Sequence, residues 1–110
     1  MSTSHTDHQP ATFLLVHGAW HGAWCWKKLT PLLEAAGHRV VTCTQTGLAE
    51  RSHLLSKNIT LEIFIQDVVN LIRWEDLNNL ILVGHSFGGN AISGAADQVP
   101  EAIRHLVYLD

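Results

Sequence analysis

The stretch that decides the fold is NNLILVGHSFGGNAISGAAD, residues 78–97. It begins with a short apolar run, passes through a serine set between glycines, and continues into a series of small residues. An apolar run followed by a glycine-rich turn indicates a buried strand that leads directly into a helix. Each glycine in that helix lowers its stability by about 0.5–1 kcal/mol relative to alanine. Three such glycines therefore indicate that the helix must lie very close to its neighbours.

Outward from this stretch, short apolar or β-branched runs alternate with segments of helical spacing. Strands are predicted at 12–17, 38–44, 79–84 and 103–109, and helices at 26–37, 60–74 and 87–97. Strands that alternate with helices indicate an α/β fold, in which a mostly parallel sheet carries helices on both faces. The polar segment 45–58 has no clear period and is predicted to be a long connection.

Several single residues predict how the helices begin and end. Gly37 stands where a C-cap glycine is expected, and Thr60 is suited to the N-cap of the helix over 60–74. Pro31 is expected to kink the helix over 26–37 or to start its second half. In the helix over 60–74 the apolar positions fall on one stripe, which predicts the buried face: Ile65, Val68, Val69 and Ile72.

The two ends of the chain have different characters. Residues 1–10 are polar and aperiodic, and we expect a flexible tail there, followed by a single domain over 11–110. The last predicted element is a strand that ends next to Asp110. Because a compact α/β domain rarely ends on a strand, we expect residues 11–110 to be an incomplete domain.

Composition excludes several classes of function. The formal net charge of −3 and the lack of a basic cluster argue against nucleic acid as a partner. No apolar run approaches the ~20 residues that span a bilayer, and residues 1–10 do not resemble a signal peptide. Cys25 and Cys43 are too few for a disulfide framework, so a cytoplasmic location is expected. No metal-ligand spacing is present, and no cofactor is expected. The sequence does not predict an oligomeric state.

The residues Gly84 to Gly88 match the pattern G-x-S-x-G with a strand before it and a helix after it, as the chemistry of this motif requires. Ser86 would lie on a tight, strained turn that lifts its hydroxyl clear of the sheet, which makes it a candidate nucleophile. Side chains at 84 or 88 would collide with neighbouring backbone. The Phe87 N–H, at the start of the helix, is the natural first donor of an oxyanion hole.

The loop HGAWHGAW, residues 17–24, follows the first strand and is the expected source of the second donor. Its Ala19 N–H occupies the expected position. Trp20 and His21 are candidates for the wall of a substrate pocket. The tryptophans of this loop are expected to close it against the core: Trp20, Trp24 and Trp26.

None of the histidines is a convincing general base for Ser86. His85 is its neighbour on a tight turn, where adjacent side chains point in different directions, whereas a base must approach the serine from outside the turn. His17 is expected to make hydrogen bonds within its loop. Three further histidines are expected to be structural or at the surface: His38, His53 and His105.

Together, HGAWHGAWCW (17–26), GLAERSHLL (47–55), GHSFGG (84–89) and LVYLD (106–110) resemble the esterase branch of the α/β-hydrolase superfamily. Similar proteins include plant methyl esterases, hydroxynitrile lyases and bacterial relatives that hydrolyse esters and carbamates. The resemblance extends over residues 12–110 and covers about the N-terminal half of the family's domain. It does not specify a substrate.

The resemblance implies that Ser86 is the nucleophile and that the N–H groups of Ala19 and Phe87 form the oxyanion hole. It implies hydrolysis of a small-molecule carboxylic ester, and also of carbamates or amides, through an acyl-serine. The family's acid and histidine follow in later sequence, although some relatives carry the acid at the position of Asp110. No position here matches the histidine.

Two alternatives remain open: a hydroxynitrile lyase-like carbon–carbon lyase, and a non-catalytic ligand-binding protein or inactive fragment on a hydrolase fold. Lyases of this branch have a threonine where this chain has Gly18, which favours an esterase. Ala49 stands where a glycine is expected in the bacterial relatives. Residues 104–109 correspond to an interior strand of the family, so residues 1–110 alone are expected to be inactive and prone to aggregate.

Overall fold

The computed structural model describes residues 10–110, so the predicted tail over 1–10 lies outside the described residues except for Pro10. The elements follow one another as β1 (Thr12–Val16), α1 (Leu29–Ala35), β2 (Arg39–Cys43), α2 (Leu61–Trp74), β3 (Leu80–His85), α3 (Gly88–Gln98) and β4 (Ile103–Leu109). The predicted alternation of strands and helices is therefore confirmed. Among the described residues, no helix is long and apolar enough to cross a membrane.

The four strands form one parallel sheet in the order β2-β1-β3-β4. In register, Leu14 of β1 lies opposite Leu82 of β3, and Val83 of β3 lies opposite Val107 of β4. Parallel strands bring all their carboxyl ends to the same edge of the sheet. The segments that follow β1, β2 and β3 therefore meet there, and binding sites of open α/β sheets form at this edge.

Both faces of the sheet are covered, which confirms the predicted architecture. On one face α2 and α3 pack on alternate strand residues such as Leu14 and Leu82, and the predicted stripe of α2 is buried there. On the other face α1 packs with Trp26 on the intervening residues, such as Leu15 and Val83. The period of two along each strand thus divides the apolar side chains between two cores.

The helix predicted over 26–37 is shorter than expected. It begins at Leu29, because the chain before it forms a short 3₁₀ helix, Ala23–Trp26, whose last residue is buried. Pro31 consequently lies in the first turn of α1, where no backbone N–H is required for the helix ladder. It therefore causes no kink. Of the two alternatives expected for Pro31, the kink was wrong, and a position at the start of a helical segment agrees with the structure.

The end of α1 agrees with the prediction. Gly37 has φ +94, a left-handed conformation that costs a glycine little. Its N–H donates to the carbonyl of Glu34 at 2.9 Å, and the His38 N–H donates to the carbonyl of Leu33 at 3.1 Å. At the start of α2, Thr60 does have the extended backbone of an N-cap, but its side chain makes no capping hydrogen bond. The predicted N-cap position is therefore confirmed, without a side-chain hydrogen bond.

The segment 45–58 contains a short 3₁₀ helix, Ala49–Leu54, that the aperiodic sequence did not indicate. Ala49 enters it with φ +44, in the region that favours glycine, which explains why a glycine is expected at this position. Polar side chains hold the segment to β2. The Thr44 hydroxyl donates to Glu50 Oε2 at 2.7 Å and lowers the pKa of that carboxyl, and the Arg51 guanidinium donates to the Thr44 carbonyl at 2.9 Å.

At the other side of the sheet, β4 pairs only with β3 among the described residues. Its last four side chains are apolar or aromatic and are all exposed: Leu106, Val107, Tyr108 and Leu109. An open strand edge beside exposed apolar side chains is a template for intermolecular pairing. That residues 1–110 alone aggregate stays a prediction.

Candidate active site

Ser86 lies on the tight turn between β3 and α3, which we call the elbow (84–88). Its φ of +54 is in the left-handed region, which is unusual for a residue with a side chain. The Ser86 N–H donates to the carbonyl of Leu109 at 2.7 Å, so β4 supports the strained residue. The side chain is exposed at the carboxyl edge of the sheet. This geometry presents the hydroxyl to a ligand.

The glycines of the elbow are required by close backbone contacts. A Cβ on Gly84 would lie 2.8 Å from the backbone carbon of Gly88. A Cβ on Gly88 would lie 2.6 Å from the carbonyl oxygen of His17 and 2.7 Å from that of Val16. Backbone atoms of a central strand cannot move aside, so both glycines allow the first turn of α3 to lie against the end of β1.

The two candidate oxyanion donors are Ala19 and Phe87. Within residues 10–110 neither backbone N–H donates a hydrogen bond to another protein group. Phe87 precedes the first residue of α3, where N–H groups have no partner inside the helix. Ala19 follows Gly18, whose Cβ, if present, would lie 3.4 Å from the Ser86 Cβ. The Gly18–Ala19 peptide therefore lies directly against the serine.

His17 orients that peptide. Its side chain is buried, and its Nε2 accepts a hydrogen bond from the Gln45 N–H at 2.9 Å. Because Nε2 is the acceptor, we assign the ring proton to Nδ1, which donates to the Gly18 carbonyl at 2.7 Å. This confirms the prediction that His17 makes hydrogen bonds within its loop. Burial lowers the pKa of His17 below its ordinary value.

The buried His17 should make stability depend on pH. Its pKa is lower in the folded than in the unfolded protein, so the unfolded state binds more protons at pH values just below about 6.5. This contribution is fully present above that pH and is lost as the pH falls below it. Nearby Glu50 and Asp67 oppose the shift and His21 adds to it, but burial dominates.

We expect the unfolding free energy between pH 7 and pH 5 to fall less steeply in His17→Gln than in the wild type, by at most about 1.4 kcal/mol per pH unit. Urea unfolding of the full-length protein at a series of pH values measures both slopes. His53→Gln is the matched control, since His53 is exposed and should leave the slope unchanged. Equal slopes for the wild type and His17→Gln would contradict the assignment of a buried, neutral imidazole.

The ring of His85 lies beside the Gly/Trp loop. It packs against Trp26 and His21, with centroid distances of 6.5 and 6.2 Å. No histidine among the described residues forms a hydrogen bond with the Ser86 hydroxyl. His38 accepts the Ala11 N–H on Nδ1 at 3.0 Å, which is a structural contact. These positions agree with the interpretation that none of these histidines is the base.

An apolar cavity of about 290 Å³ opens beside the two candidate donors. Its wall combines the Gly/Trp loop, the segment after β2 and the start of two helices: His17, Gly18, Ala19, Trp20, Gln45, Leu48, Leu55, Ser56, Ile59, Phe64 and Phe87. A larger groove of about 430 Å³ runs along β2 and contains neither donor. Ser86 itself lines neither the cavity nor the groove. The sequence did not indicate the wall from residues 45–64, because segment 45–58 is aperiodic.

The aromatic residues of the Gly/Trp loop have different environments. Trp20 is 80% exposed and lines the cavity, whereas only Trp26 is buried in the core. Trp24 is half exposed and packs edge-on against His21. The expectation that all three tryptophans close the loop against the core was therefore wrong for two of them. His21 does not line the cavity, and its contact with substrate stays a prediction.

The structure gives no direct evidence for a catalytic acid, a cysteine nucleophile or a metal site among the described residues. Asp110 directly follows β4 at the carboxyl edge, is exposed, and makes no hydrogen bond with a described histidine. Its role as the catalytic acid stays a prediction. Burial raises the pKa of Cys43 to about 12, so this thiol is not a nucleophile at neutral pH. Among residues 10–110, no group of three or more His, Cys, Asp or Glu side chains is arranged to hold a metal ion.

Comparison with known proteins agrees with this fold. A family model described as "Alpha/beta hydrolase family" matches residues 13–110. Because the match extends over most of the 110 residues, the chain belongs to the alpha/beta hydrolase family. The resemblance predicted from the motifs is therefore confirmed.

Individual relatives include bacterial and plant proteins. The chain is 54% identical over 100 residues to the carbendazim hydrolyzing esterase of Nocardioides sp. (strain SG-4G), over 91% of this chain and 41% of that protein. It is 41% identical over 102 residues to Methylesterase 2 of Arabidopsis thaliana, over 88% of this chain and 38% of that protein. It is 43% identical over 101 residues to the Alpha-hydroxynitrile lyase of Arabidopsis thaliana, over 89% of this chain and 38% of that protein.

Among solved structures, an extracellular alpha/beta-hydrolase from a Paenibacillus species superposes with a TM-score of 0.83 at 37% identity. The superposition covers 90% of this chain and 40% of that one. The chain thus spans about two fifths of the length of the relatives that it matches.

Proposed function

We propose that the full-length protein is a serine esterase and that residues 10–110 supply its nucleophile and oxyanion hole. The observation that carries the proposal is the exposed, left-handed Ser86 next to two backbone N–H groups with no partner among the described residues. Relatives named as esterases support it. The substrate is a small carboxylic ester, with carbamates and amides as related substrates.

In the proposed reaction, Ser86 Oγ attacks the carbonyl carbon and loses its proton to a general base. The Ala19 and Phe87 N–H groups stabilise the oxyanion of the tetrahedral intermediate, which collapses to an acyl-serine and releases the alcohol. Water then hydrolyses the acyl-serine and releases the acid. Each donor is worth about 3–4 kcal/mol in the transition state. The base and its partner acid must come from outside the described residues or, for the acid, from Asp110.

Labelling with a fluorophosphonate, a reagent that phosphonylates nucleophilic serines, tests the assignment of Ser86 directly. The full-length protein should react once, and digestion followed by mass spectrometry should find the phosphonyl group on Ser86. Labelling at a different serine would refute the proposal. No labelling at all would favour the alternative of a non-catalytic ligand-binding protein.

The cavity beside the donors leads to a prediction about substrates. No side chain with a formal charge lines it, whereas its aliphatic and aromatic wall includes Leu48, Phe64 and Phe87. Placing a carboxylate or ammonium group there would cost several kcal/mol of desolvation. We therefore expect kcat/KM for p-nitrophenyl butyrate to exceed that for p-nitrophenyl hemisuccinate by at least about 100-fold. Equal values for this nearly isosteric pair, which differs only in the acyl group, would contradict an apolar acyl site.

The lyase alternative is less well supported by this site. Gly18 offers no hydroxyl, and a Cβ at this position would already lie 3.0 Å from His85 Nδ1. A cyanohydrin substrate therefore lacks a side-chain donor where the lyases of this branch have a threonine. Release of cyanide from mandelonitrile, with Ser86 required, would favour the lyase over the esterase.

We also propose a cytoplasmic location, for which the support is the low number of cysteines.

A further inference from the structure

A continuous series of buried and partly buried hydrogen bonds connects helix α2 to the oxyanion loop. We call it the polar chain, and it consists of Asp67, Gln45, His17 and the Gly18 carbonyl. His17 and Gln45 line the apolar cavity, whereas Asp67 does not. The polar chain nevertheless ends on the peptide group that carries one of the two proposed oxyanion donors, so its effect on catalysis can be argued from geometry.

At one end, Asp67 holds the backbone that follows β2. Its Oδ2 accepts the Thr46 N–H at 2.6 Å, and its Oδ1 accepts the Thr46 hydroxyl at 2.6 Å. In the amide orientation that satisfies both ends of the Gln45 side chain, Nε2 also donates to Asp67 Oδ2 at 3.0 Å and to the Phe64 carbonyl at 3.1 Å. The carboxylate is only 11% exposed, and Arg51 lies 3.7 Å from it. These bonds leave residues 45 and 46 little freedom.

At the other end, the position of Gln45 determines that of His17. The Gln45 N–H binds His17 Nε2, so the imidazole is held by a residue that Asp67 itself holds. His17 Nδ1 in turn donates to the Gly18 carbonyl. That carbonyl and the Ala19 N–H belong to one planar peptide group, in which the C=O and the N–H point in opposite directions. Fixing the carbonyl therefore fixes the direction of the donor.

We infer that Asp67 is a positioning residue of the oxyanion hole, which acts through Gln45 and His17 on the Gly18–Ala19 peptide. The inference rests on the proposed function. A donor that is preorganised needs no rearrangement when negative charge develops on the substrate, and this is where an oxyanion hole gains its effect. Loosening the polar chain should therefore weaken binding of the transition state and leave binding of the substrate largely unchanged.

The test is a double-mutant cycle of Asp67→Ala and His17→Asn. The second substitution removes the bond of His17 Nε2 to Gln45 but can keep the bond of Nδ1 to the Gly18 carbonyl. In His17→Asn the side-chain amide nitrogen can replace Nδ1 and keep the bond to the Gly18 carbonyl, but it cannot reach Gln45. Asp67→Ala should lower kcat for p-nitrophenyl butyrate by about five- to tenfold in the wild-type background, with KM nearly unchanged. In the His17→Asn background, where the link to Gln45 is already broken, Asp67→Ala should change kcat less than about twofold.

A second readout excludes a purely structural role. A trifluoromethyl ketone forms a hemiketal with a serine nucleophile, and its oxyanion uses the same two N–H groups. Its inhibition constant should rise by the factor by which kcat/KM falls in each variant. Asp67→Asn can keep the contacts to Thr46, so it should restore most of kcat. Glu62→Gln, an exposed carboxylate substitution on the same helix, is the control and should change neither value.

The inference is overturned if Asp67→Ala lowers kcat by the same factor in both backgrounds, or lowers the melting temperature without changing the inhibition constant. If Asp67→Ala gives no folded protein, Thr46→Val removes the hydroxyl bond to Oδ1 and enters the same cycle. Activity of the wild type distinguishes failure of this inference from failure of the proposed function. If the wild type hydrolyses the ester but the effects of Asp67→Ala and His17→Asn on kcat are additive, only the role of the polar chain is refuted. If the wild type does not hydrolyse the ester, the proposed esterase function is refuted.

Discussion

Ser86→Ala is expected to lower kcat for p-nitrophenyl butyrate by about 10⁴-fold or more in the full-length protein. The substitution removes the only atom that can form the acyl intermediate, while the backbone donors remain and can support a small residual rate. Labelling by a fluorophosphonate should disappear at the same time. Because alanine is smaller than serine and adopts left-handed φ about as poorly, the melting temperature should change little.

Ser93→Ala is the matched control for this experiment. Ser93 lies in α3 shortly after the elbow, and its hydroxyl pairs with that of Tyr108 at 2.7 Å. Its removal should leave both turnover and labelling at the wild-type level. If Ser86→Ala kept turnover within about tenfold of the wild type, or if Ser93→Ala lost it, the assignment of the nucleophile would be wrong.

The second large effect is expected on stability, from Gly88→Ala. Its new methyl group would lie 2.6 and 2.7 Å from two carbonyl oxygens of the β1 end, and backbone there cannot yield without disturbing the central sheet. We expect a loss of about 3 kcal/mol or more, at the upper end of what overpacking costs. The urea midpoint of the full-length protein measures it.

Gly89→Ala, one residue further along α3, provides the comparison. A Cβ there would lie 3.0 Å from Tyr108 Cδ1, an exposed ring that can move by a few tenths of an ångström. Alanine also favours a helix over glycine by about 1 kcal/mol, which offsets the contact. Gly89→Ala should therefore be nearly neutral. Equal midpoints for the two variants would show that close approach to β1 does not explain the glycine at 88.

Much of the fold could be predicted from local patterns. The strands and their parallel arrangement follow from apolar runs alternating with helical spacing, and the buried stripe of α2 follows from its period. The start of α1 could not be predicted, because Trp26 continues the apolar spacing of the helix although it belongs to the preceding 3₁₀ turn. The side chain of Thr60 suits an N-cap by type, but only the surrounding structure decides whether it bonds.

The candidate active site likewise contains residues that could be predicted from local motifs and residues that could not. The elbow and the loop after β1 are contiguous motifs, and their residue types alone indicated Ser86, Phe87 and Ala19. The polar chain joins residues that are far apart in sequence, such as Asp67 and Gln45, and no periodicity reveals such contacts. Asp67 lies on the polar side of an amphipathic helix, where a solvated carboxylate is the ordinary expectation.

The hydrogen bond between the Ser86 N–H and the Leu109 carbonyl has a consequence for how the protein folds. The Ser86 carbonyl is bound within the turn by the Gly89 N–H, but the partner of the Ser86 N–H lies on β4, which is synthesised later. Pairing of parallel strands across a helix is a slow, non-local event, because the intervening loop must first close. The reactive serine should therefore acquire its active geometry only when β4 docks.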